Sequence, residues 1–521
     1  MGSAVDLIWD EARKIDQGTP KSPYTHWTLT VASVNDLPRS DALRALALAA
    51  EAKFAAPDPS VPRAHSLLTA VPFSPAVFQF LDIGAVNSGP QDPNVEPPRR
   101  VPLNVGLAPG DALVAAIDDG AFFAHQRFWH APFQTRVVWA WIQGAPAPPP
   151  EDGIKSDLPF GREVTRDDIS GLLQRHRLSG NRVDEEAIYR EVGLIDPAKP
   201  HPQSSMLAQS HGMAVMDLLA GTGGPNAARL RPIWVSLPPS VTADTSGGFL
   251  PLFAWFAVEA ILDRADRMIE AAERHHPGIS IPVVINISYG LTAGPKDGTG
   301  LFERYLTERI EAWDHTRAPL SVFAPMGNTR LSRSHGRLDQ PGEKTGLAWR
   351  LPPDDPTPSF LEIWGRRRAR PLRPTLVLSL GDGEEISFER FDTYRNAHAP
   401  NDTPDTPPLL RAYASWIPTD LNDPDGPGRE VLTLVAQPTR PARPGEPFLR
   451  PGDLALRVVS TKDTASWPLD LHVQRDDSLP GYRRRGRQSS LVDPLYRRRD
   501  GAGRIILEDP DPSGPVRREA T

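Results

Sequence analysis

Apolar and polar positions along the chain change texture three times. From about 101 to 344, short aliphatic and β-branched runs alternate with stretches of helical periodicity, the pattern of βαβ units around a mostly parallel sheet. Strands are expected at 112–117, 137–141, 233–237, 282–288 and 320–324, with helices starting near His211, across 254–274 and across 301–313. In the last of these, Phe302, Tyr305, Leu306, Ile310 and Trp313 share one helical face. The stretch 143–200 is Pro-rich at first, then helix-forming in DEEAIYREVG, and reads as an insertion. From 345 to 475 the helical period disappears. Runs at 360–364, 375–380, 386–388, 431–435, 454–459 and 469–473, separated by turns such as Gly381-Asp382-Gly383, predict an all-β, sandwich-like domain.

The two ends read differently. Residues 1–100 form an N-terminal helical and loop region with one helix at 41–56, N-capped by Ser40 and closed by Pro57. Turn-rich stretches then place a boundary near 95–105. Residues 476–521 form an Arg/Pro-rich C-terminal segment, read as beginning a return to the α/β core. No internal repeat is visible.

Composition narrows the classes of function. The 521 residues carry a net charge of −7, which supplies no general attraction to nucleic acid or to an anionic membrane. Pro (58) and Gly (40) make about a fifth of the chain, loop-rich but below the level at which disorder is the default. The absence of cysteine excludes disulfides, thiolate metal sites and a Cys nucleophile. The first thirty residues lack the apolar core of a signal peptide, and the apolar run 249–258 is broken by Pro251. The expectation is a soluble chain, with the cytoplasm favoured and unconventional export left open. The Arg runs at 366–370, 483–487 and 497–499 read as solvated loop charge.

Three segments could carry chemistry. An apolar strand delivers Asp118, followed by Asp119-Gly120, to a sheet rim, where α/β sites assemble; alone it also fits an ordinary strand-end turn. His211 opens the helical segment His211-Gly212-Met213-Ala214-Val215-Met216-Asp217-Leu218-Leu219-Ala220-Gly221, where a carboxylate could orient Nδ1 and leave Nε2 as a general base. A surface His at a helix start is the plainer reading. The third is a pair, Ile285-Asn286-Ile287-Ser288-Tyr289-Gly290 and Ala324-Pro325-Met326-Gly327-Asn328. Asn328 could donate to an oxyanion or serve only as a turn residue.

Together and in this order, these segments resemble the subtilisin-like serine proteases, the subtilase family, over about residues 105–335. Ile117-Asp118-Asp119-Gly120 matches the family's aspartate motif. His211-Gly212, Val215 and Ala220-Gly221 match its histidine helix, with Met213, Ala214, Met216 and Asp217 as departures. Asn286 to Gly290 matches its substrate-binding strand, and Gly327-Asn328 its oxyanion asparagine. The resemblance implies an α/β fold: a subtilisin-like, mostly parallel sheet with helices on both faces and an inserted or appended β-sandwich. It implies a serine endopeptidase acting on a protein or peptide substrate, with Asp118, His211 and Asn328 catalytic and Ser288, Tyr289 and Gly290 binding substrate. No metal or cofactor is required, and no nucleic acid or membrane partner is implied. Residues 1–100 would correspond to the inhibitory pro-segment many members have.

The family's nucleophile motif, G-T-S-x-A-x-P, is missing. Ser490, beside Ser489 in Gln488-Ser489-Ser490-Leu491-Val492-Asp493-Pro494, is the nearest approach. It lacks the Gly-Thr lead and the small residue two places on. The favoured expectation is that the serine segment lies beyond Thr521, in a C-terminal remainder of the same polypeptide. The alternative is a catalytically incomplete scaffold that binds a protein partner. Rival enzyme classes lack their own signatures, with no G-x-S-x-G, G-x-x-x-x-G-K-[ST] or H-E-x-x-H.

Overall fold

The structure, a computed structural model, describes residues 103–517 apart from short stretches, the longest being 146–157 and 398–409. The helix expected at 41–56, and the whole of the region 1–100, lie outside the described residues.

The first body is a six-stranded sheet. Its strands are β1 (Ala112–Asp118), β4 (Trp139–Ile142), β5 (Arg162–Thr165), β6 (Leu230–Ser236), β7 (Val283–Ile287) and β8 (Leu320–Phe323), in the order β5-β4-β6-β1-β7-β8. A small hairpin of β2 (Trp129–Ala131) and β3 (Gln134–Thr135) sits apart. All neighbours in the large sheet run parallel except the edge strand β5, which is antiparallel to β4. This edge strand comes from the stretch 143–200. That stretch therefore extends the sheet as well as supplying helices α1 (Arg166–Arg175) and α2 (Glu185–Glu191).

Strand parity sets the two faces. Along β1, Leu113, Ala115 and Ile117 join a core with the long helix α4 (Leu250–Glu273) and Phe302 of helix α5 (Leu301–Glu311). Val114 and Ala116 join a separate core with α1, α2 and helix α3 (His211–Ala220). Successive residues of a strand point to opposite faces, so a strand buried on both sides is apolar without a break, as ALVAAI is. Helices thus cover both faces. Trp234 of β6 is fully buried in the α3-side core, edge-on to Phe128 at 5.3 Å. Trp234→Ala is expected to destabilise the chain by about 3–5 kcal/mol, measured as a fall in the urea midpoint.

The second body is a β-sandwich. One sheet orders β13 (Glu384–Ile386), β12 (Leu376–Leu380), β17 (Gly452–Ser460), β10 (Gly346–Leu351) and β19 (Ser490–Val492). The other orders β14 (Thr393–Ala397), β15 (Leu410–Pro418), β16 (Gly428–Ala436), β11 (Ser359–Arg368), β18 (Leu469–Val473), β9 (His335–Leu338) and β20 (Val516–Arg517). Both contribute to one core, with Trp349, Leu378 and Leu456 facing Leu361, Leu432 and Leu471. β9 lies N-terminal to residue 345, and β19 and β20 C-terminal to 475. These parts of the segments 335–344 and 476–521 pair with the sandwich, not with the parallel sheet. Their short runs, such as Ser490-Leu491-Val492, each add one apolar side chain to the sandwich core, where Leu491 is fully buried.

The sandwich grips the loop that follows β7. Buried Glu362 accepts from Gly294 N at 2.9 Å, Trp364 Nε1 at 2.8 Å and Gln474 Nε2 at 2.8 Å. Arg475 N donates to Thr292 Oγ1 at 3.0 Å, and Arg429 pairs with Asp297.

Candidate active site

The parity that packs β1 also aims its last residue. Asp118 continues the even-numbered set, Val114 and Ala116, towards the α3 face. There α3 begins at His211, with Ser210 as N-cap, its Oγ accepting from Met213 N at 3.3 Å. His211 Nδ1 lies 2.8 Å from Asp118 Oδ1. The residues are 93 apart in sequence and meet because α3 packs directly on β1.

Charge and burial are uneven across this pair. The Asp118 side chain is fully buried and the His211 side chain 53% exposed. Asp118 Oδ1 also accepts from Asp119 N at 2.8 Å, whereas among the described residues its Oδ2 has no hydrogen-bond partner. The hydrogen bond from the ring to Asp118 raises the His211 pKa above 6.5, against the opposing effect of burial, with the Asp118 and Asp119 charges adding to the rise. Since a carboxylate only accepts, Nδ1 carries the proton of that bond. In the neutral ring Nε2 then carries the lone pair, the arrangement of an oriented general base.

Asp119 is a second acid at this turn. Burial, followed by the neighbouring Asp118 charge, pushes its pKa up to about 6, against the lowering effect of a hydrogen bond from Gly212 N and the proximity of His211. In the sequence Asp119 is only the middle of an Asp-Asp-Gly turn. Nothing in that turn announces that its carboxylate reaches the start of a helix 93 residues away.

The other sequence candidates are placed unequally. Tyr289 is brought to the pair, its ring edge-on to His211 with centroids 5.9 Å apart. Ser288 adjoins it and accepts from Asn286 Nδ2 at 2.6 Å, and Gly290 follows in the same segment. Asn328 lies exposed just after β8, two strands from β1. Among the described residues no hydrogen bond joins it to His211 or Asp118. Ser490 lies on β19, opposite Arg350 of β10, and the neighbouring Ser489 Oγ is buried with no partner among the described residues. This is a sandwich strand rather than a turn entering a helix, and among the described residues no hydrogen bond ties either hydroxyl to His211. Asp118, His211 and Tyr289 are thus assembled. Ser490 is not.

Comparison with known proteins gives a likeness of fold. The fold is similar to a solved structure of the CspB protease of Clostridium perfringens, with a TM-score of 0.44 and 15% identity over 70% of this chain. The match spans 62% of that protease's length. No family model matches the chain, and no curated protein matches it.

Among the described residues no group of three or more His, Asp or Glu converges as a metal site would require. Among them, too, no helix is long and apolar enough to cross a membrane.

Proposed function

We propose that the chain carries the acid–base half of a subtilisin-type serine endopeptidase. The observation behind this reading is the 2.8 Å contact between buried Asp118 and the exposed imidazole of His211. It forms at the C-terminal rim of a parallel sheet, beside the segment that resembles a substrate-binding strand. In the reaction, a serine oxygen attacks the scissile carbonyl carbon while His211 Nε2 takes its proton. The imidazolium, stabilised by Asp118, then passes that proton to the leaving amine as the C–N bond breaks. Water repeats the sequence on the resulting ester, releasing the acid and restoring the serine. Asn328 would donate to the oxyanion, and Ser288 to Gly290 would pair with an extended peptide as an added strand. The 521 residues hold no G-T-S-x-A-x-P motif to supply that serine.

The test is hydrolysis of fluorescein-labelled casein, together with labelling by a fluorophosphonate probe. Cleavage that His211→Ala abolishes supports the reading. Casein binding without cleavage or labelling supports the second reading, a scaffold that binds a protein partner. That reading is favoured by the absence, among the described residues, of any hydroxyl hydrogen-bonded to His211.

Cleavage is also expected to be pH-dependent. Only the neutral imidazole can accept a proton, so kcat/KM should rise with pH and level off above the raised His211 pKa, with its midpoint above pH 6.5. A rate independent of pH between about 5 and 9 counts against His211 as the base.

A further inference from the structure

Asp119 touches Asp118 and the residues on either side of His211 without belonging to the pair. Its backbone N–H donates to Asp118 Oδ1 at 2.8 Å. Its carboxylate Oδ1 accepts from Gly212 N at 2.8 Å and from Ser210 Oγ at 3.4 Å. The first turn of a helix has N–H groups with no partner inside the helix; Asp119 satisfies one of them and steadies the residue that caps another. Its own carbonyl is held by Ser204 Oγ at 2.6 Å. The approach leaves no spare room, because a Cβ on Gly212 would meet Asp119 Oδ1 at 2.9 Å and Gly120 O at 3.0 Å. With its side chain about half exposed, His211 meets Asp118 and the Tyr289 ring, and its backbone position decides whether it reaches them. The ring therefore sits where the first turn of α3 sits.

We propose that Asp119 is a positioning residue for His211, its carboxylate docking the first turn of α3 onto the Asp118–Gly120 turn and so setting the Asp118–His211 distance. The docking is read without substrate. Only its consequence for turnover rests on the peptidase reading.

Three variants of the full chain test this. Asp119→Asn keeps an oxygen to accept from Gly212 N and removes the charge. Asp119→Ala removes both. Gly212→Ala keeps the charge and forces the helix start away; since Ala favours helix over Gly, any loosening there is not a matter of propensity. Amide exchange at the start of α3 is expected to be at least about tenfold faster in Asp119→Ala and Gly212→Ala, and within about threefold of wild type in Asp119→Asn. The His211 titration, followed by NMR of its ring protons and assigned with His211→Gln, should shift to lower pH in both Asp119 variants. Where casein is cleaved, Asp119→Ala should lower kcat by about 100-fold, as a displaced catalytic group does, with KM little changed and most of kcat restored in Asp119→Asn.

Wild-type exchange in both Asp119→Ala and Gly212→Ala overturns the proposal. So does an equal loss in Asp119→Asn and Asp119→Ala, which would make charge rather than docking the whole effect. If Asp119→Ala does not fold, Gly212→Ala decides the exchange test. A wild-type chain that cleaves nothing defeats the peptidase reading, while exchange and titration still decide the docking.

Discussion

Asp118→Asn is expected to reduce peptide hydrolysis by about four orders of magnitude, the loss known when a triad aspartate becomes an amide. The reasoning rests on which atom faces the ring. Asp118 Oδ1 serves both His211 Nδ1 and the Asp119 amide, and the side chain is sealed at the end of the central strand. An asparagine fits that volume, so the sheet should survive. It can hold the tautomer only by turning its oxygen to the ring, and even then it offers no charge to an imidazolium. Independently of turnover, the His211 titration should move to lower pH, since the bond to Asp118 is the chief cause of its raised pKa. The sign for stability follows. A group whose pKa is raised by folding stabilises the native state fully below its unfolded value, and the contribution is lost as pH rises through the folded value. The Asp118–His211 pair therefore supports folding below about pH 6.5 and progressively less above it. Asp118→Asn should weaken the fold more at pH 6 than at pH 9 relative to wild type. An unchanged His211 midpoint in this variant would show that the carboxylate is not the ring's partner.

How much of this was legible beforehand depends on the range over which each signal acts. The core strands were plain because parallel strands covered on both faces cannot hide their apolar runs: 112–117 anticipated β1 (Ala112–Asp118), and 320–324 anticipated β8 (Leu320–Phe323). The three helices placed between strands were found for a similar reason, their apolar faces repeating at helical spacing. Edge and short elements were missed. β5 reads REVT, with most positions half-exposed, and β9 reads HGRL. Their places depend on tertiary pairing that four residues cannot encode. β14, β15 and β20 were unassigned for a similar reason. In β15, LRAYASWIP carries small and polar residues that become buried only once β14 and β16 flank it.

At the site, residue types were visible and contacts were not. Asp118 and His211 stood out because an Asp ending an apolar strand and a His opening a helix are chemically conspicuous. Tyr289 was named, but the direction of its ring was open until the edge-on contact with His211 fixed it. Asp119 was hidden by its ordinariness, since an Asp before Gly is what a turn contains anyway. Ser490 drew notice through a Ser-to-Pro spacing of four, but pairing in β19 depends on alternation, and Leu491 pointing into the sandwich core decided where that segment lies.

Asp119→Asn should stabilise the protein at about pH 8, by as much as about 3 kcal/mol, and change stability little at about pH 4. The folded pKa of about 6 lies above the ordinary 3.8 because burial and the neighbouring Asp118 charge outweigh the hydrogen bond from Gly212 N and the nearby His211. The native state then holds its proton more tightly than the unfolded chain. The penalty for ionising Asp119 is absent below the ordinary value, grows between 3.8 and 6, and is complete above 6. Asparagine never ionises, so the difference between variant and wild type should open across that same window. Chemical denaturation at three pH values spanning it gives the measurement, and a difference that stays flat would mean that Asp119 titrates like an exposed acid. The comparison also bears on why a charged residue occupies a buried turn. If the variant is more stable at pH 8 while the His211 midpoint falls, the carboxylate costs the fold free energy and in return favours the charged imidazole. Because asparagine keeps an oxygen for Gly212 N, the comparison separates what the charge does for the imidazole from what the side chain does for the turn.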